Sequence, residues 1–89
     1  MIIEFTKRFR KDFKQIADVS GLAPSLERTI DNILRAKNIS EIKNLKKLTG
    51  YKVYFRVRIG DYRIGLKIEN DAVIFSAIQH RKNIYKNFP

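Results

Sequence analysis

Residues 53–65 read V-Y-F-R-V-R-I-G-D-Y-R-I-G, and their pairing decides the fold. From residue 52 to residue 59, Val53, Phe55, Val57 and Ile59 alternate with Lys52, Tyr54, Arg56 and Arg58, the period of two that marks a strand with one face in a core. Gly60-Asp61 is a two-residue hairpin signal, and residues 62–69 resume the alternation, with Ile64, Leu66 and Ile68 against Arg63, Gly65, Lys67 and Glu69. Counting outward from the turn sets Ile59 opposite Tyr62, Arg58 opposite Arg63, Val57 opposite Ile64, Arg56 opposite Gly65, Phe55 opposite Leu66 and Tyr54 opposite Lys67. Apolar residues meet apolar ones and basic residues meet basic ones, so the register is self-consistent. Two arginines directly opposed are destabilising, on the order of the ~0.2–1 kcal/mol that a favourable cross-strand pair would contribute. The sign of that contribution is wrong for a purely structural role.

Beyond this hairpin, Asn70-Asp71 marks a second turn, followed by A-V-I-F-S-A-I-Q, a run apolar on both faces that reads as a central, doubly covered strand. Counting from that turn sets Lys67 opposite Ile74, Gly65 opposite Ser76 and Arg63 opposite Ile78, which sends His80 to the arginine face. Lys52, Tyr54, Arg56, Arg58, Arg63, Lys67 and His80 then line one surface, with Gly65 and Ser76 leaving a shallow trough. Guanidinium groups bind phosphate through paired hydrogen bonds, and Tyr54 offers a ring on which a base can stack. Asp61 alone does not neutralise four basic neighbours, so the surface favours an anion.

Upstream, residues 2–6 are β-prone. Phe9, Phe13, Ile16 and Ala17 then fall on one helical face behind a Thr6 cap, and Leu26, Ile30, Ile33 and Leu34 on another, with Gly21 between the two helices and Pro24-Ser25 at the start of the second. Ile42, Leu45 and Leu48 recur every third residue, which predicts a turn or two of helix over residues 38–50. In the tail, H-R-K-N-I-Y-K-N-F-P, a helical turn over residues 81–86 puts Arg81 and Tyr85 on one side, four residues apart, with Phe88 as a packing residue. The expected architecture is α+β, in the order β-α-α-β-β-β, with two helices packed on one face of an antiparallel sheet and a short C-terminal helical turn. Residues 1–89 form one domain.

Nineteen Lys and Arg against nine Asp and Glu give a formal charge of +10, and 44% of residues are hydrophobic. The apolar content is that of a folded chain rather than a disordered one, and the charge calls for a polyanionic partner. With no cysteine and one histidine, neither a disulfide framework nor a dedicated transition-metal site is expected. No apolar run approaches the ~18 residues of a membrane span, and the start is too short for a signal sequence, so a cytoplasmic protein with no membrane or cofactor requirement is expected.

The motifs Y-K-x-Y-F-R-V-R-x-G-D-Y-R at residues 51–63 and H-R-K-x-x-Y at residues 80–85, in this order, resemble the RelE/ParE superfamily of toxins from toxin–antitoxin pairs. The resemblance covers nearly the whole chain. It implies a metal-independent, ribosome-dependent endoribonuclease that cuts mRNA in the ribosomal A site and is silenced by a cognate acidic antitoxin. In that chemistry the ribose 2′-hydroxyl attacks the adjacent phosphate, giving a 2′,3′-cyclic end. Carried over residue by residue, Arg63 is the principal phosphate-stabilising arginine, Arg81 the second, near the leaving group, and Tyr85 the ring that stacks on or orients the nucleotide. Tyr54, Arg56, Arg58 and Lys67 would contact RNA. Tyr54 stands where the well-known interferase has a second lysine, so the base falls to Lys52 or, preferably, neutral His80, because arginine is effectively always protonated. The superfamily's other branch inhibits DNA gyrase without nuclease activity, and a non-catalytic nucleic-acid-binding module is the third possibility. The set Arg63, His80, Arg81 and Tyr85 suits RNA cleavage.

Overall fold

In the computed structural model, which describes residues 1–89, the chain forms β1 (Ile2–Phe5), α1 (Lys7–Ile16), α2 (Leu22–Arg35), β2 (Leu45–Lys47), β3 (Tyr54–Ile59), β4 (Tyr62–Glu69), β5 (Ala72–His80) and α3 (Arg81–Asn87). The strands make one five-stranded sheet in the order β1-β5-β4-β3-β2. The expected α+β architecture holds, with two differences. A short strand, β2, is added at one edge, and β1 lies parallel to β5 at the other, so the sheet is mixed rather than antiparallel. The helix pair carries the chain from β1 to the far edge, and three antiparallel turns bring it back beside its start.

Local chemistry explains the helices. Thr6 caps α1, its Oγ1 accepting from the Phe9 amide at 3.1 Å, and Phe9 is buried against Phe5 and Phe75. Gly21, at φ 78°, takes the left-handed conformation that turns the chain into α2, so α2 begins at Leu22, ahead of Pro24-Ser25. Leu22, Leu26 and Ile33 then meet Val57, Ile64, Leu66, Val73, Phe75 and Ile78 in one core between the helices and the sheet. Each such large side chain contributes about 1.5–3 kcal/mol by leaving water.

The helix expected over residues 38–50 is replaced by a single 3₁₀ turn at Ile39–Glu41 and the strand Leu45–Lys47. Asn44, at φ 61°, breaks the helical path between them. Ile42 is still buried and Leu45 still packs on the core, so the three-residue spacing of apolar side chains was produced by a turn and a strand together. Strand β3 begins at Tyr54 rather than residue 52, because the Leu48 amide bonds the Tyr54 carbonyl at 2.9 Å and closes residues 49–53 into the β2–β3 connection.

The β3–β4 register is the one counted from Gly60-Asp61 at every pair, from Ile59–Tyr62 to Tyr54–Lys67. The β4–β5 register agrees at Lys67–Ile74 and then slips. Leu66 pairs with Phe75 but Gly65 pairs with Ala77, leaving Ser76 as the extra residue of a bulge. Arg63 therefore stands opposite Gln79, Ile78 turns into the core beside Ile64, and His80 pairs with Tyr62.

Candidate nucleic-acid interface

The sheet face away from α1 and α2 is built in rows across the strands. One row joins Lys46, Arg56, Gly65 and Ala77, the next Arg58, Arg63 and Gln79, and a third Tyr54, Lys67 and Ile74. Helix α3 lies over the first row. Buried Ile84 and Phe88 pack on Ala77, with Leu48 and Tyr54 alongside, so the trough expected over Gly65 and Ser76 is filled by the chain's own tail. Phe88 is the packing residue that its place in the sequence suggests.

Where α3 begins matters for chemistry. The Arg81 amide donates to the Asp61 carbonyl at 2.8 Å, which holds the start of α3 against the β3–β4 turn and places Arg81 in the same field as Arg63. One turn on, Tyr85 is 59% exposed, and the Arg56 guanidinium sits 5.0 Å from its ring centroid. That distance is within cation–π range and orients an aromatic face that solvent, or a base, can reach.

Arg63 is the electrostatic centre. Its guanidinium donates to the Gly60 and Tyr62 carbonyls, both at 2.9 Å, and no carboxylate pairs with it. Its pKa is lowered, first by desolvation and then by the charges of Arg58, Arg56 and Arg81, with Asp61 opposing weakly. A cation held among cations gains from an anion more than an isolated one does. A hollow of about 370 Å³ beside it is lined by Asn44, Leu45, Lys46, Arg56, Arg58 and Arg63, without an acidic residue. Lys67 differs: Glu69 pairs with it at 3.1 Å and raises its pKa, so its charge is partly answered within the protein.

Two predicted residues lie elsewhere. Lys52 is exposed in the β2–β3 connection, outside the strand that carries Arg56 and Arg58. His80 is off the arginine face because the bulge at Ser76 reverses the facing of every later β5 residue. Its ring meets Tyr62 at 5.4 Å, and its Nδ1 accepts from the Lys82 amide at 3.2 Å, which makes it the N-cap of α3. Sequence reasoning missed Lys46, which shares a row with Arg56 and lines the hollows on both sides of it. Its strand, L-K-K at residues 45–47, shows no apolar–polar alternation and is too short to establish a period.

The tail is pinned from the other side as well. Beyond Phe5, β1 leaves the outer edge of β5 open, and Asp12 of α1 covers it by accepting from the Ile78 backbone amide at 3.2 Å and from the Gln79 side-chain Nε2 at 3.4 Å. Gln79 accepts in turn from Asn87 at 2.8 Å, and Arg8 donates to the Asn87 carbonyl. No three His, Asp or Glu side chains are grouped to hold a metal ion, and no helix is long and apolar enough to cross a membrane.

Fold and face define a small α+β domain whose sheet face away from α1 and α2 carries an arginine cluster, with a C-terminal helix packed on that face and supplying part of the cluster. The chain belongs to the family of ParE toxins of type II toxin–antitoxin systems, matching it over residues 3–85, and so to the RelE/ParE superfamily. It is 34% identical to Toxin RelE3 of Methanocaldococcus jannaschii over the full length of both chains. The crystal structure of a RelB-RelE antitoxin-toxin complex from Methanococcus jannaschii superposes with a TM-score of 0.77 at 35% identity, covering 97% of this chain and 99% of that one. The Escherichia coli DinJ-YafQ complex shares the fold, with a TM-score of 0.75 at 15% identity over 93% and 96% of the two chains.

Proposed function

We propose that this toxin is a ribosome-dependent mRNA endoribonuclease, acting in the cytoplasm and neutralised by an acidic antitoxin. The observation that carries this reading is the convergence of Arg56, Arg58, Arg63 and Arg81 beside the exposed ring of Tyr85, with no acid lining the hollow between the strands. The similarity to a toxin solved with its antitoxin supports the partner.

In this reaction the ribose 2′-oxygen forms a bond to phosphorus and gives up its proton, while the bond to the 5′-oxygen breaks and that oxygen takes a proton. The products are a 2′,3′-cyclic phosphate and a 5′-hydroxyl. Arg63, helped by Arg56 and Arg58, binds the non-bridging oxygens as charge builds on them, and Arg81 faces the leaving oxygen. Tyr85 stacks on the base and holds the sugar in line for attack. Arginine does not exchange its proton here, and Lys52 in its loop and His80 on the far face lie outside the Arg56 row. In this reading water accepts the 2′-hydroxyl proton and supplies the one taken by the 5′-oxygen, while Lys46, in that row, adds positive charge beside the phosphate. Electrostatic groups aimed at the developing charge are typically worth about 10²–10³ each in rate.

Mapping mRNA 5′ ends after induction tests the proposal. New ends within translated codons, dependent on ribosomes, are expected. The matched family carries the ParE name, so the competing activity is gyrase inhibition, for which intact mRNA beside broken chromosomal DNA is the signature.

A further inference from the structure

The largest hollow on the molecule, about 560 Å³, lies away from the proposed scissile site, between α2 and the end of β3. Arg28 and Arg35 reach it from α2, Lys43 from the β2 approach and Arg58 from β3, while Asp31 is its one acid. The sequence decides its shape. Asn32 on α2 accepts from the Lys43 amide at 2.9 Å and donates to the Glu41 carbonyl at 3.1 Å, clamping the loop that carries Lys43 alongside the helix. Strand β2 begins at Leu45, opposite Val57, and just ahead of it the Arg58 amide donates to the Asn44 carbonyl at 3.3 Å, which holds Arg58 at the junction of the loop and the end of β3.

Arg58 and Asn44 line both this hollow and the one beside Arg63, and Lys46 and Arg56 line both that one and the next, under Tyr85. The three are one cationic path from the exposed ring of Tyr85, past Arg63, around the end of β3 at Arg58 and onto α2. Its far end has a single hydrophobic lining residue, Ile59. Protein segments dock through buried apolar anchors, which this end does not offer, whereas a phosphate backbone needs cations and polar groups.

We propose that Arg28, Arg35 and Lys43 form a second, non-catalytic subsite for the phosphate backbone of the same single RNA strand that occupies the Arg63 site. The inference rests on the proposed RNA substrate but not on its cleavage. Asp31, paired with Arg35 at 2.9 Å, moderates the affinity of the subsite.

The test is binding of a fluorescent single-stranded RNA of about 12 nucleotides, and of one of about 4, to the full-length toxin over a salt series. An all-2′-deoxy version of each removes cleavage from the readout. The triple variant R28E/R35E/K43E is expected to weaken binding of the longer strand about tenfold or more and to flatten its salt slope by about 2, leaving the shorter strand unaffected. Asp31→Asn, a mild surface change, is expected to tighten the longer strand. Arg63→Ala weakens both lengths. Equal affinities for wild type and triple variant, equal losses for both lengths, or loss of antitoxin binding with RNA binding intact would overturn the proposal. Normal RNA binding by this path with no mRNA cutting in cells would instead overturn the nuclease reading alone.

Discussion

The ring of Phe88 rests directly on the bare Cα of Gly65, so that a Cβ at position 65 would lie 2.7 Å from two of its ring carbons. Gly65 is thus the seat of α3, and α3 carries Arg81 and Tyr85 into the cationic face. Gly65→Ala must push Phe88 out, since the added Cβ would meet three of its ring carbons at 2.7–2.8 Å. The expected outcome is a stability loss of about 1–3 kcal/mol together with loss of toxicity. Thermal melts and growth assays of Gly65→Ala measure both. Phe88→Ala should reproduce the functional loss, and a stable, fully toxic Gly65→Ala would show that α3 need not be docked.

Arg63 is the residue whose removal should separate activity from folding. It has no acidic partner, and its neighbours repel it, so Arg63→Ala is expected to leave stability within about 0.5 kcal/mol of the parent while lowering cleavage about 10²–10³-fold. Arg63→Lys should recover little, because the paired donors of the guanidinium are lost. Single-turnover cleavage of ribosome-bound mRNA and a chemical melt check the two halves separately.

The hairpin was legible because Gly60-Asp61 gives a fixed origin from which to count, and each apolar pair confirms the next. No such check existed in A-V-I-F-S-A-I-Q. A strand apolar on both faces reads equally well with Ile78 in or out, so the bulge at Ser76 leaves no trace in the pattern. That slip moved His80 to the opposite face and Gln79 opposite Arg63. Lys46 was hidden for a related reason, since its strand is three residues long and its apolar neighbours Ile42 and Leu48 imitate a helical spacing. The arginine cluster itself was legible, because it sits on the hairpin whose register could be counted; Arg81 joined it through a backbone bond to Asp61 that no periodicity reveals.

The corrected place of His80 yields a sharp expectation. As the N-cap of α3 it needs only an acceptor for the Lys82 amide, and Asn supplies one with the strongest cap preference. His80→Asn should therefore keep activity within about threefold and leave the pH profile unchanged, whereas His80→Ala should lose about 0.5–2 kcal/mol of stability and activity with it. A general base at this position predicts the reverse: both variants equally inactive, with the acidic limb of the pH–rate profile gone.

The depressed pKa of Arg63 also makes the fold responsive to anions. A lowered folded-state value means that the native state binds this proton less tightly than the unfolded chain does, so the repulsion is present wherever the guanidinium is charged and eases only at pH above the working range. At neutral pH both states carry the proton, and an anion at the cluster is the remaining way to relieve it. A ligand at a hundredfold excess over its Kd adds about 2.7 kcal/mol, which for a chain of this size corresponds to roughly 10–20 °C in Tm. A non-cleavable deoxyoligonucleotide should therefore raise Tm well above the effect of sodium chloride at matched ionic strength. Arg63→Ala should lose most of that rise without a lower Tm of its own. An equal rise with chloride would assign the effect to general screening and sink the idea of a localised anion site.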